Sequence, residues 1–189
     1  SLYDALEQKT ITELNKELGG GSEFTECSLA SYIHVFKRDY HDLLSQKIKG
    51  LRPWMAFFKL WSQYLAKRGW KHSVDLEALS IARELGKKAV FLETIEEQLE
   101  ALDGIPFERI VNYVNNFKNW GKFSRHNKEQ YLKDSLDGLL NIISRFPTRC
   151  PSIIENRDPV FFERMGAYIA AGNAAVFLGT THIRGVIKM

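Results

Sequence analysis

The sequence predicts an α+β fold that is mostly helical with a small central sheet, and three observations carry that expectation. Apolar residues recur at helical spacing along most of the chain, as in Trp54, Phe57, Phe58, Trp61 and Leu65. Two short runs are instead continuously apolar, Ala89-Val90-Phe91-Leu92 and Ala174-Ala175-Val176-Phe177-Leu178, and read as buried strands. Helix punctuation surrounds both runs. Gly86 precedes the first and Thr94-Ile95-Glu96-Glu97 follows it, while Gly172-Asn173 precedes the second.

Taken in order, Leu2 to Leu18 carries Leu2, Leu6, Ile11, Leu14 and Leu18 and predicts one or two short helices, closed by Gly19-Gly20-Gly21-Ser22. No strand precedes those glycines and no Gly-Lys-Ser/Thr follows, so they are not a phosphate loop. Ser28 to Ile48 predicts a long helix. Its His34 and His41 stand about 10 Å apart along the axis, too far to share one metal, and read as surface or packing residues. Pro53 opens a helix over Trp54 to Lys67, whose aromatic stripe is read as core rather than ligand groove. His72-Ser73-Val74 reads as a short strand, and Asp75 as the cap of a helix through Leu85. Helices follow over Thr94 to Leu102, Pro106 to Phe117 and Asn127 to Ser144, with Lys118 to His126 read as a connector anchored by Trp120 and Phe123. Asp158 and Pro159 form an N-cap and first-turn pair for a helix through Ile169.

Composition bounds the function without choosing it. At 189 residues, 44% hydrophobic and 26% charged, the chain matches a globular domain and excludes disordered or collagen-like classes. Its longest apolar runs fall far short of the roughly 20 residues that span a bilayer. The net charge of +3 is too small and dispersed to make nucleic acid the expected partner. Cys27 and Cys150 form no CxxC pair, so a single disulfide between them is the most they predict. From Ser1 a helical pattern begins directly, with no basic stretch and apolar segment of the signal-peptide kind.

The chemistry-bearing residues collect at the two predicted strand ends. Ligands and catalytic groups gather outside the carboxyl ends of strands in α/β sheets, and here those ends carry Glu93 and His182. A carboxylate and an imidazole converging there suit a divalent metal that has at least one further ligand. Equally, a single histidine after a strand can be a hydrogen-bonded structural residue. Arg157, just ahead of a helix, is suited to binding a carboxylate or phosphate or to a structural ion pair.

Those residues belong to an ordered set of motifs. Gly179-Thr180-Thr181-His182 with Ile183-Arg184-Gly185 resembles the second G-x-x-H motif of the TraB/GumN family, to which the Tiki metalloproteases are related. Upstream, Leu51-Arg52-Pro53-Trp54-Met55 resembles its Lys/Arg-Pro-Trp segment, and Ser73-Val74-Asp75 with Leu79 and Ala82 its Gly-Val-Asp helix start. Leu92-Glu93-Thr94-Ile95-Glu96-Glu97-Gln98-Leu99 is similar to its Leu-Glu-Thr-x-x-Glu-Gln-Leu stretch, and Asn156-Arg157-Asp158 to the Arg-Asn before its last long helix. The resemblance covers Leu51 to Gly185 in the family's order.

It implies a small sheet carrying the G-x-x-H ends and a large helical insertion between them, in a single domain over residues 1–189. It also implies a metal-dependent hydrolase, a peptidase by analogy with Tiki, using Mn²⁺, Co²⁺ or Zn²⁺ and a peptide or protein substrate. Carried over, His182 would be a metal ligand, Glu93 a ligand or general base, and Arg157 a stabiliser of the developing oxyanion. The family's first G-x-x-H does not precede Leu2, and Met189 comes soon after the second motif where the family usually adds another element. By this resemblance the chain reads as a fragment, trimmed at its N-terminus and with room for a trimmed C-terminus, and inactive alone. Relatives suggest a bacterial envelope location, with any membrane anchor upstream of Ser1. The alternative is a non-catalytic envelope protein that binds a peptide or haem along its aromatic stripe.

Overall fold

The computed structural model describes residues 1–19, 43–70, 72–133, 136–138 and 145–189. The chain separates into two compact units, one formed by residues 1–70 and 107–123 and the other by 71–106 and 124–189.

The first unit is a helical core built on aromatic rings. After a 3-10 turn at Tyr3–Ala5 come α1 (Gln8–Gly19), α2 (Leu43–Ile48), α3 (Pro53–Ala66) and α6 (Phe107–Asn115), then a second 3-10 turn at Phe117–Asn119 that leads into α7 (Trp120–Leu132), whose residues from 124 on belong to the second unit. Pro53 sits in the first turn of α3, where its missing N–H has no partner to lose. The helical period then turns Phe57, Leu60 and Tyr64 inward, and all three are buried. Phe57 meets Tyr113 edge-on at 5.6 Å and Trp120 edge-on at 6.4 Å. The Trp120 indole, fully buried, donates to the Tyr113 carbonyl at 3.0 Å, so its one polar atom is satisfied. Burial raises the pKa of the Tyr113 phenol well above its ordinary value. The buried face of α3 is Ala56, Phe57, Leu60 and Tyr64; of the stripe read from spacing only Phe57 is buried, while Trp54, Phe58, Trp61 and Leu65 are half-buried at its margin. Asn15 Oδ1 accepts from the Leu44 amide at 2.9 Å, tying the start of α2 to α1.

The second unit contains α4 (Val74–Glu84), α5 (Ile95–Asp103), α8 (Asp158–Ala170) and α9 (Thr180–Ile187). The capping box read at Thr94 forms: Thr94 Oγ1 accepts from the Glu97 amide at 3.2 Å, and Glu97 accepts from the Thr94 amide at 2.8 Å. Gly86 and Gly172 follow α4 and α8 with φ of +62° and +83°, the left-handed conformation that ends a helix. Gly104 approaches the loop at Ser152 so closely that a Cβ would meet the Ser152 Cβ at 2.6 Å.

The predicted sheet does not form, which corrects the α+β expectation to an all-helical fold. Helix accounts for 66% of the interpretable chain, and no strand occurs among the described residues. Both apolar runs are irregular instead, and neither is buried: Phe91 is 73% exposed and Phe177 59%. A strand needs a neighbour's backbone to complete its hydrogen bonds, and these two runs form no ladder with each other. Apolar composition alone marked them, and composition cannot supply a pairing partner. His72-Ser73-Val74 is likewise not a strand; Ser73 is the N-cap position of α4. The segment 118–126, read as a loop, lies in the second 3-10 turn and α7. Gly20 to Ser22, Cys27, His34 and His41 lie outside the described residues. Buried Cys150 has its sulfur 3.3 Å from Ser152 Oγ. No helix among the described residues is long and apolar enough to cross a membrane.

Candidate functional site

The three residues singled out in the sequence all fall in the second unit, where they form two separate polar pairs. In the first, Arg157 grips Glu93 with both prongs. Arg157 Nε donates to Glu93 Oε2 at 3.0 Å and Nη2 to Oε1 at 2.5 Å, with side chains only 19% and 16% exposed. The planar guanidinium matches the two carboxylate oxygens, which gives such a pair direction as well as charge. Arg157 Nη1 also donates to the Ile153 carbonyl at 3.1 Å, and Gln98 Nε2 donates to Glu93 Oε1 at 3.2 Å.

Sequence places Glu93 here through the capping box one residue later. Thr94 must take extended backbone to cap α5, so the preceding carboxylate stands at the helix entrance. Arg157, at the N-cap position of α8, comes to it from the turn-rich segment 151–157.

The second pair is His182 with Asp158. His182 Nδ1 lies 2.7 Å from Asp158 Oδ1, and the side chains are 8% and 5% exposed. His182 occupies the first turn of α9 rather than a strand end, because Gly179 is the N-cap residue and helix begins at Thr180. Phe161, one turn into α8, connects the pairs: its ring meets the His182 ring at 5.1 Å and lies under the Arg157 guanidinium at 4.9 Å.

A cleft of about 400 Å³ opens beside the first pair, lined by Glu93, Arg157, Glu97, Glu100, Asn156 and Phe161 among others. Glu97 is also held in an ion pair. Arg164 donates to its two oxygens at 2.6 Å each, and those bonds, with the Thr94 amide, lower its pKa from 4.5 to about 2.

Glu93 and Arg157 are thus brought together as an ion pair, while His182 pairs with a residue the sequence reading assigned to capping alone. In the one-dimensional pattern an aspartate before a proline reads as an N-cap, and nothing local distinguishes that role from a hydrogen bond to a histidine 24 positions away. Among the described residues, no group of three His, Cys, Asp or Glu side chains could hold a metal ion.

A helical unit with a buried Asp–His pair, and a fork-bound Glu–Arg pair opening on a cleft, defines the class: a protein with a polar site set in a helical scaffold. Within that class, the chain belongs to the TraB/PrgY/gumN family, whose sequence pattern matches residues 4–189. No curated protein and no solved structure matches it.

Proposed function

We propose that this chain carries the His182 side of a TraB/GumN-type metal-dependent hydrolase site, with a peptide as substrate. The observation that supports this reading is the buried Asp158–His182 pair, a carboxylate holding one imidazole nitrogen so that the other is free to act. Family membership supports the reading, and the cleft beside Arg157 offers room for a substrate segment. In that reading, the Arg157 guanidinium is the group available to stabilise negative charge developing on a substrate oxygen.

A complete metal centre does not fit the described side chains. Catalytic zinc takes about three protein ligands, whereas both oxygens of Glu93 are engaged by Arg157, and among the described residues His182 has no second His, Cys, Asp or Glu beside Asp158 to complete a set. A bound divalent ion would supply an activated water. For Glu93 to act as ligand or base, it must first leave Arg157.

The haem- or peptide-binding alternative rests on the aromatic stripe, of which Phe57 is buried and Trp54, Phe58, Trp61 and Leu65 are half-buried. Calorimetric titration of Zn²⁺, Mn²⁺ and Co²⁺ into the chain and into His182→Ala tests the metal assignment. Binding that weakens at least roughly tenfold in the variant is expected, in line with loss of a metal-site residue. No binding by the parent chain, or equal binding by both, overturns the assignment.

A further inference from the structure

The geometry points to Asp158 as the positioning residue that makes Nε2 the reactive nitrogen of His182, with Gly185 as the gap that admits it. This deepens the proposed reading by naming the atom through which His182 acts, and it rests on that reading only for the use the nitrogen is put to.

The argument begins with protons. With Asp158 as a carboxylate, which only accepts hydrogen bonds, the 2.7 Å contact between Asp158 and His182 places the proton on Nδ1. A neutral ring with a proton on Nδ1 has its lone pair on Nε2. Among the described residues Nε2 has no hydrogen-bond partner. The ring is also fixed in orientation. Phe161 crosses it at 5.1 Å with planes at 64°, and the His182 amide donates to the Gly179 carbonyl at 2.9 Å, locking the first turn of α9.

Space makes the pair specific. The other carboxylate oxygen, Asp158 Oδ2, lies against Gly185, and a Cβ built at Gly185 would overlap it. Helices α8 and α9 pack against each other, and at this point only glycine lets them approach while a carboxylate sits between them. Asp158 is 3% exposed. Its hydrogen bond to His182 compensates that burial, and a carboxylate so placed sets the tautomer of the ring it holds.

Imidazole nitrogen resonances of the uniformly ¹⁵N-labelled chain, recorded at pH 8, read the tautomer directly. His182 is identified among the five histidines by its loss in His182→Gln. The parent chain is expected to show His182 protonated at Nδ1 and bare at Nε2, by roughly tenfold or more. Asp158→Ala and Gly185→Ala are expected to shift the ring toward the mixture of an unrestrained imidazole. Should either variant fail to fold, Asp158→Asn decides, because it keeps the shape and its amide can donate to Nδ1 and reverse the tautomer. A parent ring protonated at Nε2 overturns the proposal, and so does a tautomer unmoved in a folded Asp158 variant.

Adding Zn²⁺ to the labelled parent separates this proposal from the hydrolase reading. A perturbation confined to Nε2 supports both. No perturbation at either nitrogen, with the tautomer as expected, sinks the metal assignment and leaves Asp158 as the positioning residue. A perturbation at Nδ1 overturns the positioning.

Discussion

The two units of this chain handle apolar surface in opposite ways. In the first, rings interlock: Phe57, Tyr64, Tyr113 and Trp120 lie within 5.3 to 6.4 Å of at least one another in edge-on contacts, and their one buried indole N–H is bonded. In the second, helix α4 has no buried residue, and Val74, Leu76, Ile81 and Leu85 are all more than half exposed. The second unit's buried apolar residues, Ile105, Ile153, Ile154, Phe161 and Met165 among them, share the interior with two polar pairs, Glu93 with Arg157 and His182 with Asp158. The first unit relies on interlocked rings, and the second adds direction and charge to a smaller set of apolar contacts. The candidate site lies in the second unit, where directional contacts fix the orientation of side chains, whereas apolar area fixes only a volume.

Trp120→Ala tests that comparison most severely. Removing a fully buried indole from a packed aromatic cluster costs about 3–5 kcal/mol. Urea denaturation is expected to show that loss, while Leu85→Ala, at a residue 65% exposed, changes stability by no more than about 0.5 kcal/mol. Equal losses at both positions would erase the distinction between the units.

In the second unit the corresponding change is Arg157→Ala, which leaves the part-buried Glu93 carboxylate with Gln98 alone. A carboxylate stripped of its charged partner costs about 1–3 kcal/mol, discounted toward the lower figure because both side chains retain some exposure. A double-mutant cycle with Glu93→Gln isolates the pair from the other contacts Arg157 makes, to the Ile153 carbonyl and the Phe161 ring. A coupling energy near zero would mean that the fork-like geometry contributes nothing, and the second unit would then need another source of order.

How much of this was legible in the sequence differs between the units for the same physical reason. Helical spacing reports that a face is buried, so the helix and its buried Phe57 were legible, but spacing puts Trp54, Phe58, Trp61 and Leu65 on that face, which are half-buried, while Ala56, Leu60 and Tyr64 form the buried side with Phe57. The capping box at Thr94 was equally legible, because a cap is closed within three residues. The strands at Val90 and Val176 were misread because strand formation depends on a neighbour that no local pattern specifies. Glu93, Arg157 and His182 could be picked out as residue types in motifs, but their partners could not. The Asp158–His182 pair spans 24 positions and the Arg157–Glu93 pair 64, distances over which only the folded chain decides what meets.

The smallest effect concerns the rim of the cleft, where Glu97 is held by Arg164 and by the Thr94 amide. These bonds lower its pKa from 4.5 to about 2, so the folded form binds this proton less readily than the unfolded form. The stabilisation from Glu97 is therefore complete above about pH 4.5 and is lost as pH falls toward about 2. Thermal melts of the parent chain and Arg164→Ala between pH 6 and pH 2 read this directly. The parent is expected to be the more stable of the two above pH 4.5, with the gap narrowing through that window and closing near pH 2. Because the pair is exposed to solvent and salt, the gap is expected to shrink in high salt as well, unlike the loss in Trp120→Ala, which apolar burial makes insensitive to screening. A gap independent of pH would show that Arg164 stabilises the fold through its bond to the Leu92 carbonyl and not through Glu97. Charge would then matter less at the rim of the cleft than at the buried pairs behind it.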